Sequence, residues 1–145
     1  MVTGGMRKTP AGSLWTTIGV FAVVGPYVGG LIMGLAILHS RFGRFGDEVT
    51  LGDILTLPLM GFLGYPFGFA PAAITGYISG LASAYVTSKP GWIALSTVTG
   101  TTISLLFFAA ISENLEGSLP FAAVGGIAAL VSAFVGLKVR PRWSN

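Results

Sequence analysis

Cysteine is absent from the 145 residues. That excludes disulfides, thiolate metal sites and redox dithiols. Histidine occurs once, as His39, which leaves no multi-histidine metal centre and no haem with two histidine ligands. Charge is scarce as well. Charged residues make up 9% of the chain, against about 25% in a soluble domain. So few polar side chains cannot cover a globule in water. A soluble enzyme, a nucleic-acid-binding domain and a disordered tail are excluded, and the chain reads as a single membrane domain over residues 1–145.

What is present is hydrophobic sequence, 52% of the residues. About 20 apolar residues span a bilayer core, and four stretches reach that length: residues 14–38, 69–87, 92–112 and 119–137. The first ends in Leu38-His39-Ser40-Arg41 with no small-residue cleavage site, so it reads as a retained anchor rather than a signal peptide. The charge-free run from Ile54 to Ser88 is too long for one straight helix. Pro58, Pro66 and Pro71 interrupt it, with Gly61, Gly64 and Gly68 between them. Proline removes a helical hydrogen bond and glycine tolerates a bend. The pattern predicts a short interfacial or re-entrant segment at 54–63, non-helical backbone at 64–68, then a full span. Thr50-Leu51-Gly52-Asp53 reads as a capping box ahead of the short segment. Lys89-Pro90-Gly91 reads as a turn that leaves Trp92 at the interface, with Trp15 and Trp143 as further aromatic-belt residues. Pro120 is expected in the first turn of the last span.

Charge placement predicts orientation. With four crossings, Arg7, Lys8, Lys89, Lys138, Arg140 and Arg142 share one side with no acidic residue. The other side has Arg41 and Arg44 against Asp47, Glu48, Asp53, Glu113 and Glu116. Loops rich in Lys and Arg stay in the cytoplasm, so both termini are expected there. A fifth crossing by residues 54–63 would put the basic C-terminus outside.

Glycine is unusually frequent, at 22 residues. It recurs at helical spacing: Gly25 and Gly29, then Gly30 and Gly34; Ala72, Gly76, Gly80 and Ala84; Ser96, Gly100 and Ser104; Gly125, Ala129 and Ala133. Small residues every fourth position let helix backbones approach closely in lipid. Gly29, Gly76, Gly80, Gly100 and Gly125 are the expected packing positions, and an all-α four-helix bundle with a Pro/Gly-broken segment before its second span is the expected fold.

No Asp, Glu, Lys, Arg or His lies inside an apolar segment. Such groups mark proton relays and charged-substrate sites, so a proton-coupled transporter, an intramembrane acid–base enzyme and a serine–histidine dyad are all disfavoured. Three constellations remain. The hydroxyl run Ser96, Thr97, Thr99, Thr101, Thr102 and Ser104 can bond its own helix or line a polar path, with Thr97 and Thr101 as contacts for a solute. The broken segment can be an elbow, or a site walled by Tyr65, Pro66, Phe67 and Phe69. The repeat Arg41-Phe42-Gly43-Arg44-Phe45-Gly46 can anchor lipid or a partner through Arg41, Phe42, Arg44 and Phe45. His39 and the acidic loop residues follow no metal spacing and read as a solvated surface. No catalytic residue, metal ligand or cofactor is expected.

The run Gly-Phe-Ala-Pro-Ala-Ala-Ile-Thr-Gly-Tyr-Ile-Ser-Gly at residues 68–80, with short spans around it, resembles small bacterial inner-membrane proteins. That resemblance implies a location and no activity. The sequence leads to two functional expectations. One is a non-catalytic accessory or assembly subunit that packs on a larger membrane complex. The other is a small oligomeric channel or transporter for a small solute. Membrane lipid, and a membrane-protein partner or a second copy, are the expected contacts, with no nucleic acid.

Overall fold

The computed structural model describes residues 11–45, 50–86, 88–112 and 115–139. It is all-helical: α1 Ala11–Phe45, α2 Leu51–Leu63, α3 Tyr65–Ala82, α4 Lys89–Ser112 and α5 Leu115–Val139. By length and composition α1, α4 and α5 can each cross a membrane, and α2 with α3 forms a bent pair that passes the same test together. This is an integral membrane protein with three helices that can each span the bilayer and a bent pair that is either a fourth, broken span or a re-entrant loop. The 35 residues of α1 make a rod about 52 Å long at 1.5 Å per residue, so it projects well beyond a hydrocarbon core of about 30 Å.

The local signals explain most element ends. The Thr50 side chain accepts from the Asp53 backbone N–H, and the Asp53 carboxylate accepts from the Thr50 backbone N–H at 3.1 Å. This reciprocal box opens α2 three residues before Ile54. The break that follows is shorter than the sequence pattern predicts. Residues 64–68 are not a non-helical stretch: Gly64 alone interrupts the helix, with φ −67° and ψ −23°, and α3 starts at Tyr65. Pro66 falls at the start of α3, where a missing N–H costs no helical bond, and the Gly68 N–H already reaches the Gly64 carbonyl at 2.8 Å. The chain nevertheless bends by 51° between α2 and α3. At its far end α3 stops at Ala82 rather than 87, and residues 83–85 turn. Lys89-Pro90-Gly91 is not a turn but the first turn of α4. Ser88 opens it, its hydroxyl accepting from the Gly91 N–H at 3.2 Å and its carbonyl from Trp92 at 3.1 Å. Because α5 begins at Leu115, Pro120 lies inside it rather than in its first turn.

Going round the bundle, α1 meets α3, α3 meets α4, α4 meets α5, and α5 returns to α1, while α2 leans on α1. The packing is inside-out relative to a soluble protein. Large apolar side chains such as Leu35, Val98, Leu106, Ile127 and Phe134 are exposed, and Thr17, Ser79, Ser96, Ser132 and Ala133 are buried. In lipid there is no hydrophobic penalty on the outside, and small residues let helix axes close up.

The closest approaches are glycine contacts. A Cβ on Gly100 would run into the Ala129 methyl and lie 3.0 Å from the Gly125 carbonyl, and one on Gly125 would strike the Ser104 hydroxyl. These two residues set the α4–α5 crossing. Gly76 has Phe21 Cβ 2.8 Å and Ile18 Cα 3.1 Å from where its own Cβ would sit. Gly80 takes Leu14 in the same way, so both fix α3 on α1. Gly30 receives the backbone of Met60 and Gly61 from α2. Trp92 is fully buried within the bundle rather than exposed at its surface. Its indole N–H donates to the Ser79 carbonyl at 3.1 Å. Its ring meets Phe21 edge-on, with centroids 6.4 Å apart. A Cβ on Gly136 would lie 3.1 Å from the same ring. Trp15, by contrast, is exposed. The chain termini, Trp143, and the side chains of Arg41, Phe42, Arg44 and Phe45 lie outside the described residues, as do Asp47, Glu48 and Glu113.

Candidate functional site

The four-helix ring is closed at one end and hollow at the other. Trp92 and Phe21, with Ala129 and Ala133, fill the closed end. Beyond Phe21 lies a cavity of about 500 Å³. Its walls are the Gly25–Gly34 face of α1, the end of α2, the first half of α3, the last half of α4 and the first half of α5. Pockets that hold small ligands typically run about 300–1,000 Å³.

Glycine creates the space as well as the contacts. On α1, Gly25 and Gly29 face the hollow without side chains. A Cβ on Gly29 would touch only Val124, at 3.6 Å, an ordinary contact. Gly29, expected at a tight helix crossing, instead lines the cavity. The kink supplies the rest. Gly64 sits against α1 so closely that a Cβ there would collide with the Pro26 carbonyl and lie 3.0 Å from Gly30. Pro26 lacks an N–H, which leaves the Ala22 carbonyl without its helical donor and loosens this stretch of α1. One residue further on, the Val23 carbonyl accepts a 2.7 Å bond from the Tyr65 hydroxyl. A proline in α1, a glycine at the bend and a tyrosine at the start of α3 thus form one joint.

The lining is almost entirely carbon. Phe21, Phe67, Phe108 and Phe121 supply its aromatic part, Met33 and Met60 two thioethers, and Thr75, Ser104 and Ser132 its side-chain hydroxyls. Two of those hydroxyls already bond their own helices: Thr75 donates to the Pro71 carbonyl and Ser132 to the Ala128 carbonyl, each at 2.8 Å. Phe108 stacks on Phe121 with centroids 4.2 Å apart. Among the described residues no group of three His, Asp or Glu side chains gathers to hold a metal, and His39 is exposed rather than in the wall.

The residues singled out from the sequence are divided by this geometry. Phe67 lines the cavity and is largely exposed at its edge. Tyr65 serves the α1 joint, and Pro66 and Phe69 face outward. Thr97 and Thr101 do not reach the cavity; their hydroxyls donate to Ile93 and Thr97 carbonyls at 2.9 and 3.0 Å. From the same hydroxyl run only Ser104 joins the lining, and Gly125 does so beside it. Sequence reasoning missed Pro26, Phe108 and Phe121. Pro26 sat in view as the only proline of the first span. The two phenylalanines carried no distinguishing pattern, because aromatic residues in apolar segments are common.

No family model matches the chain, and neither a curated protein nor a solved structure matches it.

Proposed function

We propose that this protein is a non-catalytic component of the bacterial inner membrane that holds one hydrophobic molecule in its cavity. The observation that carries the reading is a half-open apolar chamber of about 500 Å³ with no charged side chain in its lining. Acid–base chemistry has no side chain to work with there. A polar solute finds few partners, because the hydroxyls of Thr75 and Ser132 serve their own helices and Ser104 is the one other hydroxyl in the wall. A hydrophobic guest needs neither, and its burial is favoured in proportion to apolar area. Such a component suits an accessory subunit that keeps a guest for a larger membrane complex.

Orientation follows from the basic termini, which the positive-inside rule keeps in the cytoplasm. That needs α2–α3 to be one broken crossing rather than a re-entrant loop. The cavity then lies in the outer half of the membrane and Trp92 in the inner half.

A second reading, a small transporter, is favoured by the closure of the chamber at one end only, with a 51° joint in one wall. Purification in a mild detergent, followed by solvent extraction and mass spectrometry, tests the main reading. One hydrophobic molecule per chain is expected from the native protein, and markedly less from Gly29→Leu, whose side chain intrudes into the cavity. An empty native protein contradicts the proposal. Vectorial movement of the same molecule between vesicle leaflets would favour transport over storage.

A further inference from the structure

The guest can be specified further from the mouth and the wall, given the reading that the cavity holds a hydrophobic molecule. We infer that the cavity takes one acyl chain of a membrane phospholipid, entering from the bilayer with its headgroup left outside.

The mouth carries the first argument. Four lining residues are also strongly exposed: Ile37 of α1 at 49%, Leu63 of α2 at 54%, Phe67 of α3 at 65% and Ile111 of α4 at 63%. Each comes from a different helix, so together they frame the opening, and all four are apolar. An opening onto water would carry polar residues at its rim. This one matches the surrounding hydrocarbon, and the molecules present there at highest concentration are lipid chains.

The wall carries the second. A quinone or pigment ring brings carbonyl or nitrogen acceptors that must find donors once buried. Thr75 and Ser132 already donate to their own helix carbonyls, which leaves Ser104 as one hydroxyl in a lining that holds no histidine, lysine, arginine, tryptophan or amide side chain, too few donors for a ring with two carbonyls. A saturated or mono-unsaturated chain asks for no donor. It does ask for a wall that follows a flexible guest. Met33 and Met60 suit that, since thioether side chains adapt to irregular shapes. Gly25, Gly29 and Gly68 add stretches of wall with no side chain at all.

The experiment sets two guests against each other. Delipidated full-length protein is reconstituted into vesicles of dioleoyl phosphatidylglycerol containing an isoprenoid quinone, extracted in mild detergent and weighed by native mass spectrometry. The expected result is one phospholipid per chain. Its retention should fall about tenfold in Gly29→Leu and in Val124→Phe, both of which fill the chamber. Far-ultraviolet circular dichroism and elution volume show whether each variant has folded. Retention of the quinone in place of phospholipid overturns the acyl-chain assignment and leaves the hydrophobic-guest reading standing. Retention of neither overturns both. Phospholipid bound equally by native protein and by two folded cavity-filled variants also overturns the assignment, because the lipid then sits on the outer surface.

Discussion

The two ends of the bundle use the same small residues to opposite effect. At the closed end Gly76 and Gly80 receive Phe21 and Leu14 of α1, and Trp92 plugs the axis against Ser79 and Gly136. At the open end Gly29 faces a hollow while Gly25 abuts Ala72 at its edge, and the joint at Pro26, Gly64 and Tyr65 holds the bent pair against α1. A small residue in a membrane helix therefore has two meanings. It brings backbones together where a large side chain from the partner fills the gap. It leaves a chamber where no such side chain arrives. The presence of Trp92 and Phe21 at one end, and their lack of counterparts at the other, decides which meaning applies.

Substitutions can break this contrast at either end. The largest effect is expected from Trp92→Ala, which removes the plug and its indole bond to the Ser79 carbonyl. Loss of a buried aromatic costs about 3–5 kcal/mol, readable as a shift in the unfolding midpoint in denaturing detergent. A loss under about 1 kcal/mol would mean that the closed end is not closed. Next comes a matched pair. Gly76→Leu should cost about 1–3 kcal/mol through overpacking, because Phe21 Cβ and Ile18 Cα already occupy its surroundings. Gly29→Leu should cost markedly less, since its side chain enters open space. Equal losses in the two variants would remove the distinction between contact glycine and cavity glycine. The smallest effect belongs to Tyr65→Phe, which keeps the ring and deletes the bond to the Val23 carbonyl. Side-chain hydrogen bonds between membrane helices average about 0.6 kcal/mol. A change near that size is expected in the same unfolding assay, whereas no change would show that the hydroxyl does not brace the joint.

Much of the fold was legible because hydropathy and charge scarcity are strong signals in lipid. The Thr50–Asp53 box gave the start of α2 correctly, since both partners are local. The bend was legible too, but its form was not. Two prolines and three glycines suggested several non-helical residues, yet Pro66 occupies an opening position of α3 where it costs nothing, so only Gly64 breaks the ladder. Its position against Pro26 of α1 depends on a tertiary contact across 37 intervening residues that no local pattern records. The surroundings of Trp92 were illegible for a related reason. Lys-Pro-Gly looks like a turn, but Ser88 opens the helix there, and the indole of Trp92 turns inward to the Ser79 carbonyl. The candidate site was the least legible part. Phe67 was found through the Pro/Gly break, whereas Phe108 and Phe121 join it only because α4 and α5 cross at Gly100 and Gly125.

The most direct measurement compares two methyl groups one helical turn apart on α5. Both belong to the closed core, but only Ala129 also borders the cavity, and both are buried from the exterior. In nuclear magnetic resonance of the protein reconstituted in lipid nanodiscs, through-space cross-peaks from acyl-chain methylenes should reach the Ala129 methyl and not the Ala133 methyl. Silence at both positions, or cross-peaks from water at Ala129, would contradict a chamber that is apolar, open to lipid and sealed at its other end.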